Sequence, residues 1–352
     1  MKETEFSING REISRSKSPY IIAEISANHN GSIQRAKDIV LAAKSAGVDA
    51  VKIQTYTPDT MTIDIESDDF LIKEGLWKER SLYELYSEAF TPFEWHEELF
   101  DFAKKSGITI FSSPFDETAV DLLESLNTPA YKIASFEIVD LPLIRYIAEK
   151  KKPMLISTGM STEGEIGNAI EIAKSMGNNK IALFHCISSY PSPLPEMNLS
   201  AIIRLKKEFN VEVGLSDHTT GNLASIVATS LGASVIEKHF ILDRTAGGVD
   251  SSFSIEPQEM TQLVSDTKDA HLALGSGGTL RSSLEGPNKI FRRSLYFVKE
   301  IQAGDKITKN HIRRIRPGYG LDPKYYDEVL GKTCRISASR GDRVTMKHFE
   351  LG

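Results

Sequence analysis

Cysteine and tryptophan are scarce in this chain of 352 residues, which has two of each. Cys186 and Cys334 lie far apart and form no CxxC pair, so nothing in the sequence requires a disulfide framework or an oxidising compartment. No stretch approaches the ~18 uninterrupted apolar residues of a membrane span, and the first residues, MKETEFSINGREIS, lack the apolar core of a signal peptide. We therefore expect a soluble, cytoplasmic protein.

Positive charge is also in deficit, because 42 lysines and arginines are outnumbered by 48 aspartates and glutamates, giving a formal net charge of −6. This balance argues against general binding of nucleic acids or of acidic membrane surfaces. The hydrophobic content of 40% is ordinary, and the length allows a large core together with a second, small domain.

Short apolar segments alternate with amphipathic segments from residue 20 to residue 274. Continuous apolar strands between helices indicate a parallel sheet covered by helices, and eight such units over about 250 residues fit a closed (β/α)8 (TIM) barrel. A doubly wound open sheet is the alternative, but no GxGxxG motif opens any of the helices. The predicted strands are YIIAEI (20–25), AVKIQTY (50–56), ITIFSSP (108–114), AYKIAS (130–135), PMLIST (153–158), IALFHC (181–186), VEVGL (211–215) and SVIEKHF (234–240).

We predict that the barrel comprises residues 20–274. Three further segments flank it. Residues 1–19 suggest a β-hairpin around the turn signal Asn9-Gly10, and this hairpin is expected to plug the bottom of the barrel. Residues 275–290 are rich in Gly and Ser and predict a linker. Residues 291–352 predict a small β-type domain with an internal duplication, because GDKIT at 304–308 recurs as GDRVT 37 positions later.

The carboxyl ends of the predicted strands carry polar residues, although packing alone would favour Val, Ile and Leu there. Lys52 and Lys132 share the pattern V/Y-K-I, which turns a lysine inward between apolar residues. An anionic ligand is the partner that such lysines need, with serine hydroxyls and loop amides as further donors. The predicted rim comprises Glu24, Lys52 with Gln54, Ser112, Ser113, Lys132 with Ser135, Ser157, Thr158, His185, Ser216 with His218, and Lys238 with His239.

Two other interpretations of these lysines remain open at this point. Each lysine could pair with an internal carboxylate such as Glu24 or Glu137, or one could form a Schiff base, as in an aldolase. Glu24 itself ends the first strand, where a carboxylate beside a metal serves as general base or orients a bound water. Its alternative role is simple pairing with Lys52.

His218 and His239 follow two neighbouring predicted strands. The segment Asn222–Leu231 between them has helical spacing, so it acts as a crossover and both histidines emerge at the same rim. Two imidazoles there form a plausible site for a divalent metal with N and O ligands, and two merely structural histidines are the alternative. The predicted charged neighbours are Asp217, Glu237 and Lys238, and the predicted apolar stripe of the helix is Leu223, Ile226, Val227 and Leu231.

The segment that contains Trp77 and Trp95 is amphipathic, and we interpret it as structural. Its first part, residues 57–80, is long enough to fold over the rim as a lid. Asn28 and His29 are expected to shape the loop after the first strand.

A resemblance to a known family rests on an ordered set of motifs: AEISANHNGS, VKIQTY, FSSPF, AYKIAS, STGMST, HCISSYPSP, GLSDHT and IEKHF. Together they resemble the sialic acid synthase family, and RRSLYFVKEIQAGDKI through RPGYGLDPK to the end resembles its antifreeze-like (SAF) domain. The resemblance covers essentially the whole chain. It implies a (β/α)8 barrel followed by a small β-rich SAF domain.

The activity that the resemblance implies is condensation of phosphoenolpyruvate with an N-acetylated amino-hexose and water, which yields a nine-carbon 2-keto acid and phosphate. VKIQTYTPDTMT and DDFLIKEGLWKERSLYELY most resemble the branch whose acceptor is a 2,4-diacetamido-2,4,6-trideoxyhexose. The branches that make N-acetylneuraminate or legionaminate are the alternatives. Two further alternatives for the function are a Schiff-base aldolase and a non-catalytic carbohydrate-binding protein.

The resemblance also implies roles for individual residues. Glu24 matches the catalytic glutamate, and His218 and His239 match the ligands of a divalent ion, Mn²⁺ or Mg²⁺. Arg316 matches an arginine that reaches the sugar in a neighbouring barrel, which implies a homodimer with swapped SAF domains. Ser188 stands where close relatives carry Asn and is left out of the predicted site. The phosphoenolpyruvate positions are Lys52, Ser113, Lys132, Ser135, Ser157 and Ser216, and those near the sugar are Glu137, Tyr190 and Asp250.

Overall fold

A computed structural model of the protein describes residues 6–275, 278 and 282–349. By its contacts the chain divides into two compact units, residues 1–276 and residues 277–352. This division falls inside the predicted linker, whereas the bounds of the four predicted segments stay predictions. Within the described residues, no helix is both long and apolar enough to cross a membrane.

The larger unit begins with a two-stranded antiparallel hairpin, β1 (Phe6–Ile8) and β2 (Arg11–Ile13). Its turn, Asn9-Gly10, has positive φ angles of 48° and 82°, which a two-residue hairpin turn of this type requires. The Asn9 amide donates a hydrogen bond of 3.1 Å to the Thr109 hydroxyl, at the first residue of a barrel strand. The predicted hairpin is therefore confirmed, and it lies at the amino-terminal end of the barrel.

Eight parallel strands close into a barrel in chain order, and the last strand pairs with the first from Val235↔Tyr20 to His239↔Glu24. This closure confirms the predicted (β/α)8 architecture over the open sheet, which would leave two unpaired edges. The strands are β3 (Tyr20–Glu24), β4 (Ala50–Thr55), β5 (Thr109–Pro114), β6 (Tyr131–Ile133), β7 (Met154–Ser157), β8 (Ile181–His185), β9 (Glu212–Asp217) and β10 (Val235–His239).

Helices connect the strands, and their ends follow local capping chemistry. In the first helix the Ser32 hydroxyl accepts a hydrogen bond from the Arg35 amide, and Gly47 ends the helix with a φ of 88°. The helices of this unit are α1 (Ile33–Ala46), α2 (Pro58–Met61), α3 (Leu82–Ala89), α4 (Phe93–Ser106), α5 (Glu117–Ser125), α6 (Leu141–Glu149), α7 (Glu163–Ser175), α8 (Ala201–Phe209), α9 (Leu223–Ser230) and α10 (Pro257–Leu274).

The two faces of the barrel strands build two separate apolar clusters, because successive side chains of a strand point to opposite sides. Outward residues such as Ile21, Val51 and Leu215 pack against the helices. The inward cluster fills the barrel together with three residues of the hairpin, so the hairpin closes the barrel from below. It consists of Phe6, Ile8, Ile13, Tyr20, Ile22, Ala50, Phe111, Ala130, Leu155, Ala182, Phe184 and Val235.

The predicted apolar stripe of α9 is wrong. Leu223 and Val227 are exposed, and the face buried against the barrel consists of Ala224, Ser225, Ala228 and Thr229. Small side chains let this helix approach the strands closely. One of them, Ser225, also donates a hydrogen bond of 2.7 Å to the Asp217 carboxylate, which an aliphatic residue could not do.

The smaller unit contains a two-stranded antiparallel sheet, β11 (Ser294–Phe297) and β12 (Ile312–Ile315), and one short helix, α11 (Tyr326–Val329). The predicted duplication is confirmed in its turns. The Thr308 amide donates to His311 Nδ1 at 3.2 Å, and 37 positions later Thr345 makes the same bond to His348 at 3.2 Å. Gly304 and Gly341 have matching φ angles of 99° and 100°.

Gly214 provides a test of the barrel packing. A Cβ atom there would lie 2.3 Å from the Val235 carbonyl oxygen and 3.0 Å from the Phe184 ring. We expect Gly214→Ala to lower the free energy of unfolding by about 1–3 kcal/mol through overpacking. Urea denaturation measures this loss. Gly167→Ala in α7 is the control, since its Cβ would meet nothing closer than 3.9 Å. Equal stabilities of the two variants would contradict the close approach.

Candidate active site

The carboxyl ends of the barrel strands hold a charged layer directly above the apolar interior. Because every second residue of a strand points inward, Glu24 follows the inward residues Tyr20 and Ile22 of β3. In the same way, Lys52 of β4 follows Ala50, and Lys132 of β6 follows Ala130. The side chains of Glu24, Lys52 and Lys132 are buried. Polar side chains also occupy the inward positions at the carboxyl ends of β5, β7, β9 and β10. The inward polar residues of the layer are Glu24, Lys52, Ser113, Lys132, Ser157, Ser216, Glu237 and His239.

Buried ion pairs join the centre of this layer. Lys52 pairs with Glu24 and lies 3.7 Å from Glu237, and Lys132 Nζ donates to Glu237 Oε1 at 2.8 Å. The Lys52 ammonium also donates to Ser113 Oγ at 3.3 Å, and Ser216 Oγ donates to Glu237 Oε1 at 3.0 Å. The alternative of carboxylate pairing is therefore confirmed for both lysines, with Glu237 rather than Glu137 as the partner of Lys132.

Burial and charge shift the protonation equilibria within the network. Burial lowers the pKa of the Lys132 ammonium below its usual value, and Lys52 adds to this effect, whereas Glu237 opposes it. Burial alone would lower the pKa of Lys52 as well, but the carboxylates of Glu237 and Glu24 raise it. Burial would raise the pKa of Glu237, yet the two lysines hold it below its usual range. The network therefore balances two ammonium groups against two carboxylates.

Several residues of the predicted rim face away from the mouth, because they occupy the outward positions of their strands. His185 Nε2 lies 2.6 Å from the Met197 carbonyl, and Ser112 Oγ lies 2.6 Å from Thr55 Oγ1. Asp217 and Lys238 form an ion pair of 2.9 Å with side chains that are entirely buried behind the barrel wall. None of these four can contact a ligand in the barrel mouth, so their prediction as rim or metal-site residues is wrong.

The two predicted metal ligands do come together. The ring centroids of His218 and His239 are 5.5 Å apart. His218 Nδ1 lies 2.9 Å from the Ile187 carbonyl, and His239 Nδ1 lies 3.4 Å from Asp250 Oδ2. Burial and His239 lower the pKa of His218 to about 3, so its ring is neutral, as a metal ligand must be. Within the described residues, no group of three His, Cys, Asp or Glu side chains is arranged to hold a metal ion.

A small polar cradle lies beside Lys132, around Gly159. A Cβ at Gly159 would lie 2.3 Å from Ser188 Oγ, 2.8 Å from Ser135 Oγ and 3.2 Å from Cys186 Sγ, so only glycine leaves these groups in place. The Ser188 hydroxyl is buried and has no hydrogen-bond partner among the described residues. The predicted site does not include Ser188, and the position of this residue next to Ser135 is the geometric reason to include it.

Of the four residues predicted near the sugar, Tyr190 and Asp250 lie beside the two histidines, and Arg316 lies in the other unit of the chain. The Tyr190 ring packs on His218 with centroids 4.5 Å apart, and Asp250 lies beside His239. Glu137 follows β6 in a short 3-10 turn, and burial raises its pKa to about 7. Arg316 belongs to the smaller unit, where its side chain is exposed.

Asn28 shapes its loop as expected, because its amide donates to the Phe240 carbonyl and to Ser254 Oγ, both at 2.9 Å. Trp95 packs against the outer barrel cluster, in agreement with its structural interpretation. Trp77 belongs to residues 57–80, the part that we predict can fold over the rim, and its ring lies 5.8 Å from the Tyr190 ring at the mouth.

These features define a (β/α)8 barrel enzyme whose mouth contains two buried lysines beside a pair of neighbouring imidazoles. The NeuB family model matches residues 39–279, and the SAF domain model matches residues 292–350. The chain belongs to the NeuB family, the sialic acid synthase family, and carries a carboxyl-terminal SAF domain.

Individual relatives are similar over nearly the whole chain. The pseudaminic acid synthase of Campylobacter jejuni is 46% identical over 334 residues, which cover 95% of this chain and 97% of the relative. The pseudaminic acid synthase of Helicobacter pylori is 47% identical, with coverage of 89% and 93%. The crystal structure of N-acetylneuraminic acid synthetase from Leptospira borgpetersenii, in complex with citrate, aligns with a TM-score of 0.73 at 29% identity, covering 81% of this chain and 94% of that one.

The charge balance of the layer can be tested at Glu237. Glu237→Gln leaves two buried ammonium groups with one carboxylate, so we expect the free energy of unfolding to fall by about 3–5 kcal/mol. Because an anion can replace the lost charge, added inorganic phosphate should raise the melting temperature of this variant more than that of the wild type. Differential scanning fluorimetry measures both effects.

Glu212→Gln is the matched control. Glu212, the first residue of β9, is as buried as Glu237, but its partner Lys206 is partly exposed. Phosphate should not rescue this control variant. Equal phosphate shifts in all three proteins would show that Glu237 does not compensate the two lysines.

Proposed function

We propose that the protein is a transferase that condenses phosphoenolpyruvate with a 2,4-diacetamido-2,4,6-trideoxyhexose of the altrose type and water. The products are pseudaminic acid and phosphate. The two relatives at 46% and 47% identity, both pseudaminic acid synthases, support the choice of acceptor. The structural observation that carries the proposal is the pair of buried lysines, Lys52 and Lys132, inside one barrel mouth beside two histidines.

Phosphoenolpyruvate carries a phosphate and a carboxylate, and we assign its binding to the charged layer. Lys52 and Lys132 neutralise the two anionic groups when these take the place of the Glu24 and Glu237 carboxylates beside the lysines. Hydroxyl groups around the lysines donate the remaining hydrogen bonds. They belong to Ser113, Ser135, Ser157 and Ser216, and Ser188 joins them beside Gly159.

The reaction forms one carbon–carbon bond and breaks one carbon–oxygen bond. C3 of phosphoenolpyruvate attacks the aldehyde carbon of the open-chain sugar, whose oxygen takes up a proton. Water adds at C2, and the bond between C2 and the phosphate oxygen then breaks, so phosphate leaves and the 2-keto group forms. We assign acceptance of the proton of that water to Glu24, whose carboxylate lies in the charged layer beside Lys52.

The two imidazoles fit a divalent ion, and we propose Mn²⁺ or Mg²⁺ held by His218 and His239. The fit rests on two ring nitrogens: His218 Nδ1 lies 2.9 Å from the Ile187 carbonyl, which leaves Nε2 for a metal, and His239 Nδ1 is buried without a hydrogen-bond partner among the described residues. When bound, such an ion supplies Lewis-acid polarisation of the sugar aldehyde. With two protein ligands, the remaining positions would be filled by oxygens of water or substrate.

On the sugar side, we assign Tyr190, Glu137 and Asp250 to the acceptor. We further propose a homodimer in which Arg316 of each SAF domain contacts the acceptor in the neighbouring barrel. Three exposed apolar side chains on the loops after β6 and β7 support a covering partner there: Phe136, Val139 and Met160 are about 60% exposed. We place the reaction in the cytoplasm.

A panel of acceptor sugars tests the activity. Purified protein with phosphoenolpyruvate and Mn²⁺ should release phosphate fastest with the 2,4-diacetamido-2,4,6-trideoxyaltrose. The mannose-type isomer and N-acetylmannosamine, which lead to legionaminate and N-acetylneuraminate, should react more slowly. Fastest release with either of these would select the corresponding alternative, and no release with any sugar would refute a synthase. Trapping of pyruvate on Lys132 by borohydride would instead indicate an aldolase.

The metal site can be tested by His239→Ala, which should abolish turnover and weaken Mn²⁺ binding, because one of two imidazole ligands is lost. Electron paramagnetic resonance of titrated Mn²⁺ measures the binding, and circular dichroism checks the fold. His185→Ala is the control, since His185 also ends a barrel strand but faces outward. Unchanged Mn²⁺ affinity in His239→Ala would remove this residue from the metal site.

A further inference from the structure

The insertion between β4 and α4 places an aromatic side chain at the barrel mouth. Its middle part, residues 71–81, folds back on itself: the Ile72 amide donates to the Arg80 carbonyl at 2.9 Å, and the Glu79 amide donates to the Ile72 carbonyl at 2.8 Å. The Ser81 and Glu84 capping box fixes the end of this loop at α3. Trp77 lies within the loop.

Trp77 contacts two other loops of the mouth. Its indole N–H donates to the Val249 carbonyl at 3.2 Å, directly before Asp250. Its ring lies 5.8 Å from the Tyr190 ring, and Tyr190 in turn lies 5.1 Å from the Phe253 ring. Phe253 reaches the His239 ring at 4.8 Å. An unbroken series of rings thus leads from the insertion to the histidine pair.

The orientation of the acceptor follows from where its aldehyde must react. That carbon has to meet phosphoenolpyruvate, which the buried lysines hold within the barrel, so C1 is the deep end of the sugar. The opposite end, C6, then points outward, toward the aromatic rings at the mouth. In a 6-deoxy sugar this end is a methyl group, which packs on ring faces and needs no hydrogen bond.

We propose that Trp77, together with Tyr190 and Phe253, forms the wall that receives C6 of the acceptor, and that Trp77 sets the preference for a 6-deoxy sugar. The inference rests on the proposed synthase activity. A C6 hydroxyl against the faces of Trp77 and Phe253 loses its hydrogen bonds with water and gains none, because the Trp77 N–H already donates to the Val249 carbonyl. Apolar walls reject an added hydroxyl by up to about 100-fold, so the expected preference is about 10- to 100-fold in kcat/KM.

A matched pair of acceptors tests the inference: the 2,4-diacetamido-2,4,6-trideoxyaltrose and its analogue with a C6 hydroxyl. Trp77→Ala should lower kcat/KM for the deoxy sugar by about tenfold or more and remove most of the preference between the two. The KM for phosphoenolpyruvate should not change. Trp77→Phe, which keeps an aromatic face, should keep most of the preference, and Trp95→Phe should keep all of it.

Tryptophan fluorescence gives a second measurement that does not depend on turnover. Because the chain has only Trp77 and Trp95, Trp95→Phe leaves a single reporter at the mouth. With phosphoenolpyruvate present, the reduced alditol of the deoxy sugar, which has no aldehyde to react, should change the emission of this variant. The same addition to Trp77→Phe, whose reporter lies against the outer barrel cluster, should leave the emission unchanged.

The outcomes separate this inference from the proposed function. If the wild type releases no phosphate with any acceptor, the synthase activity itself is wrong. If the wild type is active but Trp77→Ala has the same sugar preference, or loses activity equally with both acceptors, the role of Trp77 in specificity is wrong. A melting temperature close to that of the wild type shows that the variant is folded.

Discussion

The network of Lys52, Lys132, Glu24 and Glu237 is the constraint on which the site depends. Four charges removed from water are costly, and their attraction compensates this cost only when the pairs are close and hydrogen-bonded. The barrel meets this condition by placing the four side chains on inward positions of β3, β4, β6 and β10. Under the proposed function, an anionic substrate exchanges with the two carboxylates as the partner of the lysines.

The same barrel separates the structural role of its strands from their chemical role. The inward rows of β3, β4, β6 and β10 are apolar at their amino-terminal ends, where the hairpin packs, and polar at their carboxyl ends. The outward rows belong to the helices, and the Asp217–Lys238 pair beneath α9 is part of that layer. Because Asp217 and Lys238 precede the two histidines directly, this buried pair fixes the strand ends from which His218 and His239 emerge.

The loops at the mouth of the barrel contribute the space around Gly159 and a series of aromatic rings. Gly159 leaves room for the hydroxyls of Ser135 and Ser188, and the aromatic series from Trp77 to Phe253 contacts the histidine pair. Under the proposed function, the strands present charge for the phosphorylated acid, and the loops present ring faces for the sugar. This division matches a reaction in which the anion binds in the barrel and the acceptor approaches from outside.

The sequence by itself determined the eight strand–helix units, the hairpin, the duplicated turns and the inward lysines, because alternation with a period of two and turn chemistry are local. Only the tertiary structure decided that Glu237, 105 positions from Lys132, is its partner, that His185 and Lys238 face outward, and that Trp77 reaches Tyr190. Those contacts depend on the register between strands and on the path of an insertion, and both are set by long-range packing rather than by neighbouring residues.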